Sequence, residues 1–76
     1  MIEKYIINFK WGEEACVWIA LSDDVPGLVL EHGSLDALME RVRFAVPELL
    51  DLNEHKAKGV DLYYTTERHE RVRVYG

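Results

Sequence analysis

The sequence predicts an α+β domain: a small antiparallel sheet of three to five strands, in the order β-β-β-α-β, packed on one kinked amphipathic helix. Three observations predict it. Two apolar runs, Tyr5 to Trp11 and Cys16 to Ser22, are separated by Gly12-Glu13-Glu14. A polar corner, Ser22-Asp23-Asp24, then turns through Pro26-Gly27 into a third short run. One stretch after Ser34 carries apolar residues at helical spacing, and alternation resumes at Val60.

In the first strand Tyr5, Ile7, Phe9 and Trp11 alternate with Ile6, Asn8 and Lys10, so one face is better buried than the other. The second is apolar on both faces, with Trp18 and Ala20 pointing one way and Val17, Ile19 and Leu21 the other. A central strand reads this way. Pro26 fixes φ and Gly27 tolerates positive φ, the chemistry of a type II turn. Leu28 to His32 forms a short third strand.

Ser34 suits a helix N-cap, and Asp36 suits the positive end of the helix dipole. Leu35, Leu38, Met39, Val42, Val46, Leu49 and Leu50 make the apolar stripe. Pro47 deprives the carbonyl of Arg43 of its donor, so either the helix kinks there or one helix ends near Ala45 and a second begins with Pro47 in its first turn; a kinked helix reaching about Asn53 is preferred. Trp18, Leu38, Val42 and Leu49 are expected between helix and sheet. Residues 54–59 read as a polar loop. Val60, Leu62 and Tyr64 define a fourth strand, and alternation of Val72 and Val74 with Arg71, Arg73 and Tyr75 predicts an extra strand at 70–75.

Seventy-six residues suit a single domain over 1–76, near the lower limit for folding without disulfide or metal. The lone cysteine, Cys16, has no partner within the chain and packs as a small hydrophobe. No apolar run approaches the ~18 residues of a membrane span, and Met1-Ile2-Glu3-Lys4 lacks signal-peptide order, so a cytoplasmic protein is expected. The net charge of −5 is uneven: residues 1–53 carry ten acids and four bases, residues 54–76 four and five. Such a body suits a basic protein better than nucleic acid.

One helix covers one face of a sheet, yet Ile19, Leu21 and Tyr63 put apolar material on the other. The tail, a second copy of the chain or a partner protein should shield it, and a homodimer or higher oligomer is expected.

The residues offer little for catalysis. Asp23, Asp24, Glu31 and Glu48 are the carboxylates to weigh for a metal site, but adjacent aspartates on a turn need support from other elements to converge. A solvated turn, with Asp23 or Asp24 capping backbone amides, accounts for the pair. His32, His55 and His69 lack ligand spacing, and Gly12, Gly27 and Gly33 form no phosphate loop. No catalytic residue, metal or cofactor is expected. Arg68, Arg71 and Arg73, with Lys56 and Lys58 behind them, are the basic cluster, but Glu67 and Glu70 interrupt it. A solvated, charged edge strand that resists aggregation explains it better than RNA contact does.

Three local motifs carry a resemblance to a known family: Glu14-Ala15 before Val17-Trp18, Asp24-Val25-Pro26-Gly27-Leu28, and Val46-Pro47-Glu48-Leu49-Leu50. Over residues 4–66 the chain resembles the HicB-like antitoxin domain, a truncated relative of the ribonuclease H fold, and within it the short stand-alone members. The resemblance implies a module that binds and blocks a small basic HicA-like ribonuclease toxin without catalysis of its own. Ribonuclease H-like enzymes place an acid in the first strand, where this chain has Ile6, Ile7, Asn8 and Phe9. HicB proteins add a C-terminal DNA-binding segment; here those residues read as strand, so no DNA binding is expected. The partner-binding candidates are Glu13, Glu14, Ile19, Leu21, Asp23 and Asp24. The alternative is a homodimeric nucleotide- or RNA-binding domain using Arg68, Arg71 and Arg73. A metal nuclease ranks last.

Overall fold

Alternation over Glu3–Gly12 produces β1, and the apolar runs Val17–Leu21 and Val29–His32 produce β2 and β3. Helix α1 occupies Leu35–Leu49 and β4 occupies Val60–Glu67. The computed structural model describes residues 3–50 and 59–75, with side chains from Lys4 onward. The expected polar loop at 54–59 lies, apart from Gly59, outside the described residues, as does the expected helix end at Asn53.

The order β-β-β-α-β is present, in one four-stranded sheet arranged β3-β2-β1-β4. β2 is antiparallel to both neighbours, with Phe9 opposite Ala20, Trp11 opposite Trp18, and Leu21 opposite Val29. β4 pairs parallel with β1, from Glu3 opposite Val60 to Lys10 opposite Glu67. The sheet is therefore mixed and not antiparallel throughout. The helix is the reason: α1 carries the chain back to the end of the sheet where β3 began, so β4 runs in the direction of β3 and β1.

The extra strand expected at 70–75 is not formed, and among the described residues no strand follows Glu67. The partner strand runs out. Lys10 pairs with Glu67, and β1 ends two residues later at Gly12.

The core lies between the helix and one face of the sheet. Ile7, Phe9 and Ala20 from the sheet meet Leu38, Val42 and Val46 from the helix, all fully buried. Leu38, Val42 and Val46 recur at four-residue steps, which aligns them on one side of a 3.6-residue helix. Phe9 and Tyr64 meet edge to face at 5.1 Å, and Trp18 packs half-buried at the margin.

Leu49, expected in the core, is exposed. Its helical phase is right, but it sits in the last turn and reaches the Pro26-Gly27 turn instead: a Cβ on Gly27 would lie 3.6 Å from its Cδ2. Val46 takes the core place.

The ends of α1 follow from local chemistry. Ser34 is the N-cap, its Oγ accepting from the Ala37 amide at 3.2 Å, and its own amide donates to His32 Nδ1 at 2.8 Å. The helix continues through Pro47 without splitting near Ala45, and closes with the Leu50 amide on the Val46 carbonyl. The turn at Gly27 has φ +84 and a Leu28 amide donating to the Val25 carbonyl, the type II geometry. It buries Val25 and Leu28 at its two ends.

Candidate functional site

The second face of the sheet carries no helix. Side chains alternate across a sheet, so Ile6, Val17, Ile19, Leu21, Val29 and Tyr63 lie opposite the face that holds Phe9 and Ala20. Ile6 lies opposite Tyr63 and Leu21 opposite Val29, which brings side chains from all four strands onto one surface. Asn8, opposite both Leu21 and Thr65, lies between these two pairs with its Oδ1 accepting from Thr65 Oγ1, and at the margin Lys4 Nζ sits 4.6 Å from the centre of the Tyr63 ring.

Two turns close the ends of β2. At one end, residues 13–16 link Gly12 to Val17, with the Cys16 amide donating to the Gly12 carbonyl at 2.8 Å. Cys16 closes this loop at φ +56, a left-handed conformation costly for a residue with a Cβ. Glu13 and Glu14 are exposed on this loop.

At the other end, Ser22 and Asp24 replace the ladder that β2 abandons. Ser22 Oγ donates to the Ile6 carbonyl at 2.6 Å, and Asp24 Oδ2 accepts from the Ile6 amide at 2.7 Å. Ser22 Oγ also accepts from the Asp24 and Val25 amides. One hydroxyl and one carboxylate thus satisfy both backbone groups of a β1 residue where its neighbour turns away.

The expected partner-binding residues are therefore divided. Ile19 and Leu21 share the open face, half-buried in the middle of the sheet. The pairs Glu13–Glu14 and Asp23–Asp24 lie at opposite ends of β2, roughly 16 Å apart at about 3.3 Å per strand residue. Asp24 is occupied as a backbone cap, which leaves Asp23 as the free carboxylate of its pair. Among the described residues no three His, Cys, Asp or Glu side chains are placed to share a metal ion. No helix among them is long and apolar enough to cross a membrane.

The comparisons with known proteins fit this architecture. Residues 4–76 match the family model described as a domain of unknown function, DUF1902. The chain belongs to the DUF1902 family. A similar solved structure is that of hypothetical protein TTHA1013 from the extremely thermophilic bacterium Thermus thermophilus. It is 33% identical, with a TM-score of 0.67, and the match covers 95% of this chain and 100% of that one. No curated protein matches.

The arginine cluster of this DUF1902 chain is also divided. Arg68 lies flat against the hairpin, its guanidinium carbon 4.1 Å from the centre of the Trp11 ring and 5.9 Å from that of Trp18. The two indoles meet at 64° with centres 5.4 Å apart. This triad comes from three strand ends and is absent from the sequence expectations, because Trp11 and Trp18 become neighbours only through the hairpin register. Arg71 and Arg73 lie beyond it, exposed and apart from Arg68. Arg68 thus serves as an aromatic clamp where β4 ends.

Proposed function

We propose that this chain is a non-catalytic protein-binding module, similar in action to a HicB-type antitoxin that neutralises a small basic ribonuclease. The observation that carries the reading is the open sheet face. Ile19, Leu21 and Val29 make one apolar patch and Ile6 and Tyr63 another across Asn8, and nothing in this chain's described residues covers either. Exposed patches of this kind on small proteins mark association sites. Acidic turns stand at both ends of the central strand β2, where they attract a basic partner and orient it along that strand. Ile19 and Leu21 supply the buried centre of the contact, and Glu13, Glu14 and Asp23 the steering charge. Asp24 contributes by shaping the corner and not by direct contact. The chemistry demanded is docking over a ribonuclease's substrate surface, which needs no nucleophile, base or metal in this chain.

The test is inhibition. A HicA-type ribonuclease from the same genome, assayed on labelled RNA, should lose activity on titration with the purified chain, to an equimolar end point. Raising salt should slow association, because the steering term is screened over about 10 Å at 0.1 M. Ile19→Asp with Leu21→Asp should abolish inhibition while preserving the fold. Undiminished RNA cleavage at excess of the chain would refute the reading. So would divalent-metal-dependent cleavage by the chain alone that disappears with Asp23→Asn.

A further inference from the structure

We propose that residues 68–75 form an exchange arm that pairs with the free edge of β3 in a second copy of this chain, giving a two-fold dimer. The inference does not depend on the toxin-binding reading. Every residue from Arg68 to Tyr75 is exposed, and none belongs to a strand. Yet the segment has strand chemistry: Val72 and Val74 alternate with Arg71, Arg73 and Tyr75. Val72, Val74 and Tyr75 are 71%, 91% and 86% exposed, an unfavourable concentration of apolar surface for a segment that stays in water. The chain is correspondingly long, 61 Å in its greatest dimension with a radius of gyration of 15.3 Å. A compact domain of this size would have a radius near ~11 Å.

Among the described residues two edges of the sheet are unpaired, β3 and β4. Charge selects β3. Residues 11–40, which contain β2, β3 and their turns, hold seven acids and no Lys or Arg. The arm holds Arg68, Arg71 and Arg73 against Glu70. The β4 edge carries Asp61 and Glu67, but Lys4 and Lys10 on the adjacent strand and Arg68 at its own end offset them, so it offers a basic arm less. On β3, Val29 and Glu31 share one face and Leu30 and His32 the other, so an added strand that sets Arg71 and Arg73 beside Val29 and Glu31 sets Val72 and Val74 beside Leu30 and His32. Unpaired edge N–H and C=O groups complete the pairing. Arg68, clamped on Trp11 and Trp18, fixes the direction in which the arm leaves its own sheet.

Light scattering on the full chain at tens of micromolar should return twice the 8.8 kDa monomer. Val72→Pro with Val74→Pro removes strand donors from a segment outside its own core. That variant should keep the wild-type circular dichroism and raise the dimer dissociation constant at least tenfold. Glu31→Lys should weaken the dimer as well, and combining it with Arg71→Glu and Arg73→Glu should restore it. A monomeric wild type would overturn the proposal, as would a proline variant that stays dimeric. A dimer that the arm variants dissolve but Glu31→Lys leaves intact would overturn the assignment to β3. Inhibition of a ribonuclease by the monomeric proline variant separates this dimer from the partner-binding face.

Discussion

The two faces of the sheet are built from the same strands and differ in what meets them. On the covered face Ile7, Phe9 and Ala20 are fully buried against Leu38, Val42 and Val46. On the open face Ile19 and Leu21 are half-buried by their neighbours alone, and Val29 and Tyr63 stand largely in water. Alternation along a strand does not say which face is covered. Here β1 alternates because its open side mixes Lys4, Asn8 and Lys10 with Ile6, whereas β2 is apolar on both sides. The difference assigns stability to one face and leaves the other available for association.

The largest effect should come from the covered face. Phe9→Ala removes a fully buried ring that also meets Tyr64, and should lower unfolding free energy by about 3–5 kcal/mol. Leu38→Ala should cost ~2–5 kcal/mol by the same cavity argument. Urea denaturation measures both. In a domain this small either loss is a large share of total stability. A Phe9→Ala protein with an unchanged midpoint would mean that the core lies elsewhere.

The corner at the end of β2 comes next. Asp24→Ala leaves the Ile6 amide without its acceptor, and Ser22→Ala removes three hydrogen bonds centred on one hydroxyl. Each should cost about 1 kcal/mol, since the site is solvent-accessible and water offsets part of the loss. Asp23→Ala, one residue away, should change stability by less than about 0.5 kcal/mol. Equal effects from Asp23 and Asp24 would break the distinction between the free carboxylate and the cap.

Much of this architecture is legible in the residue order, and the failures have physical causes. Ser34, the Leu38-Val42-Val46 spacing and Pro26-Gly27 act within a few residues, so cap, helix face and turn follow from local rules. The parallel sense of β4 depends on where the crossover helix delivers the chain, which alternation over Val60, Leu62 and Tyr64 does not encode. Val72 and Val74 alternate equally well whether they pair within this sheet, with another copy, or not at all. Asp24 is recognisable as a turn aspartate, but its acceptor role toward Ile6 spans eighteen residues and needs the β1–β2 register. Ile19 and Leu21 are readable as lying opposite Trp18 and Ala20, but that theirs is the uncovered face depends on where the helix packs. The four acids flank β2 in the residue order, Glu13 and Glu14 before it and Asp23 and Asp24 after it, so their placement at opposite ends of the strand is legible as well.

The hairpin loop offers a smaller test, with a gain in place of a loss. Cys16 holds φ +56, which glycine adopts without steric cost. Cys16→Gly should therefore stabilise by about 0.5–1 kcal/mol, less whatever the weak Sγ contact with the Glu13 carbonyl contributes. Cys16→Val, branched at Cβ, should destabilise by at least as much. If glycine destabilised and valine did not, the loop would close by another geometry.

The smallest expected effect on stability is also the sharpest probe of the open face. Val29→Thr and Tyr63→Thr keep strand propensity and remove exposed apolar surface, so unfolding free energy should move by no more than about 0.5 kcal/mol for the first and about 1 kcal/mol for the second. Lys4 loses its ring contact in the second variant, and an exposed cation–π pair is worth about 0.5–1 kcal/mol at most. Association should respond differently. A basic ribonuclease docked over Leu21, Val29, Ile6 and Tyr63 would lose packed contacts from two cross-strand pairs on either side of Asn8, and its dissociation rate should rise severalfold while association stays near the wild-type rate. Glu13→Gln with Glu14→Gln should do the reverse, slowing association and flattening its salt dependence with little change in dissociation. Surface plasmon resonance on the immobilised chain reads both rates. If the threonine variants unfolded the protein, the face would be part of the core. If they left both stability and dissociation untouched, the open face would not be where the partner sits.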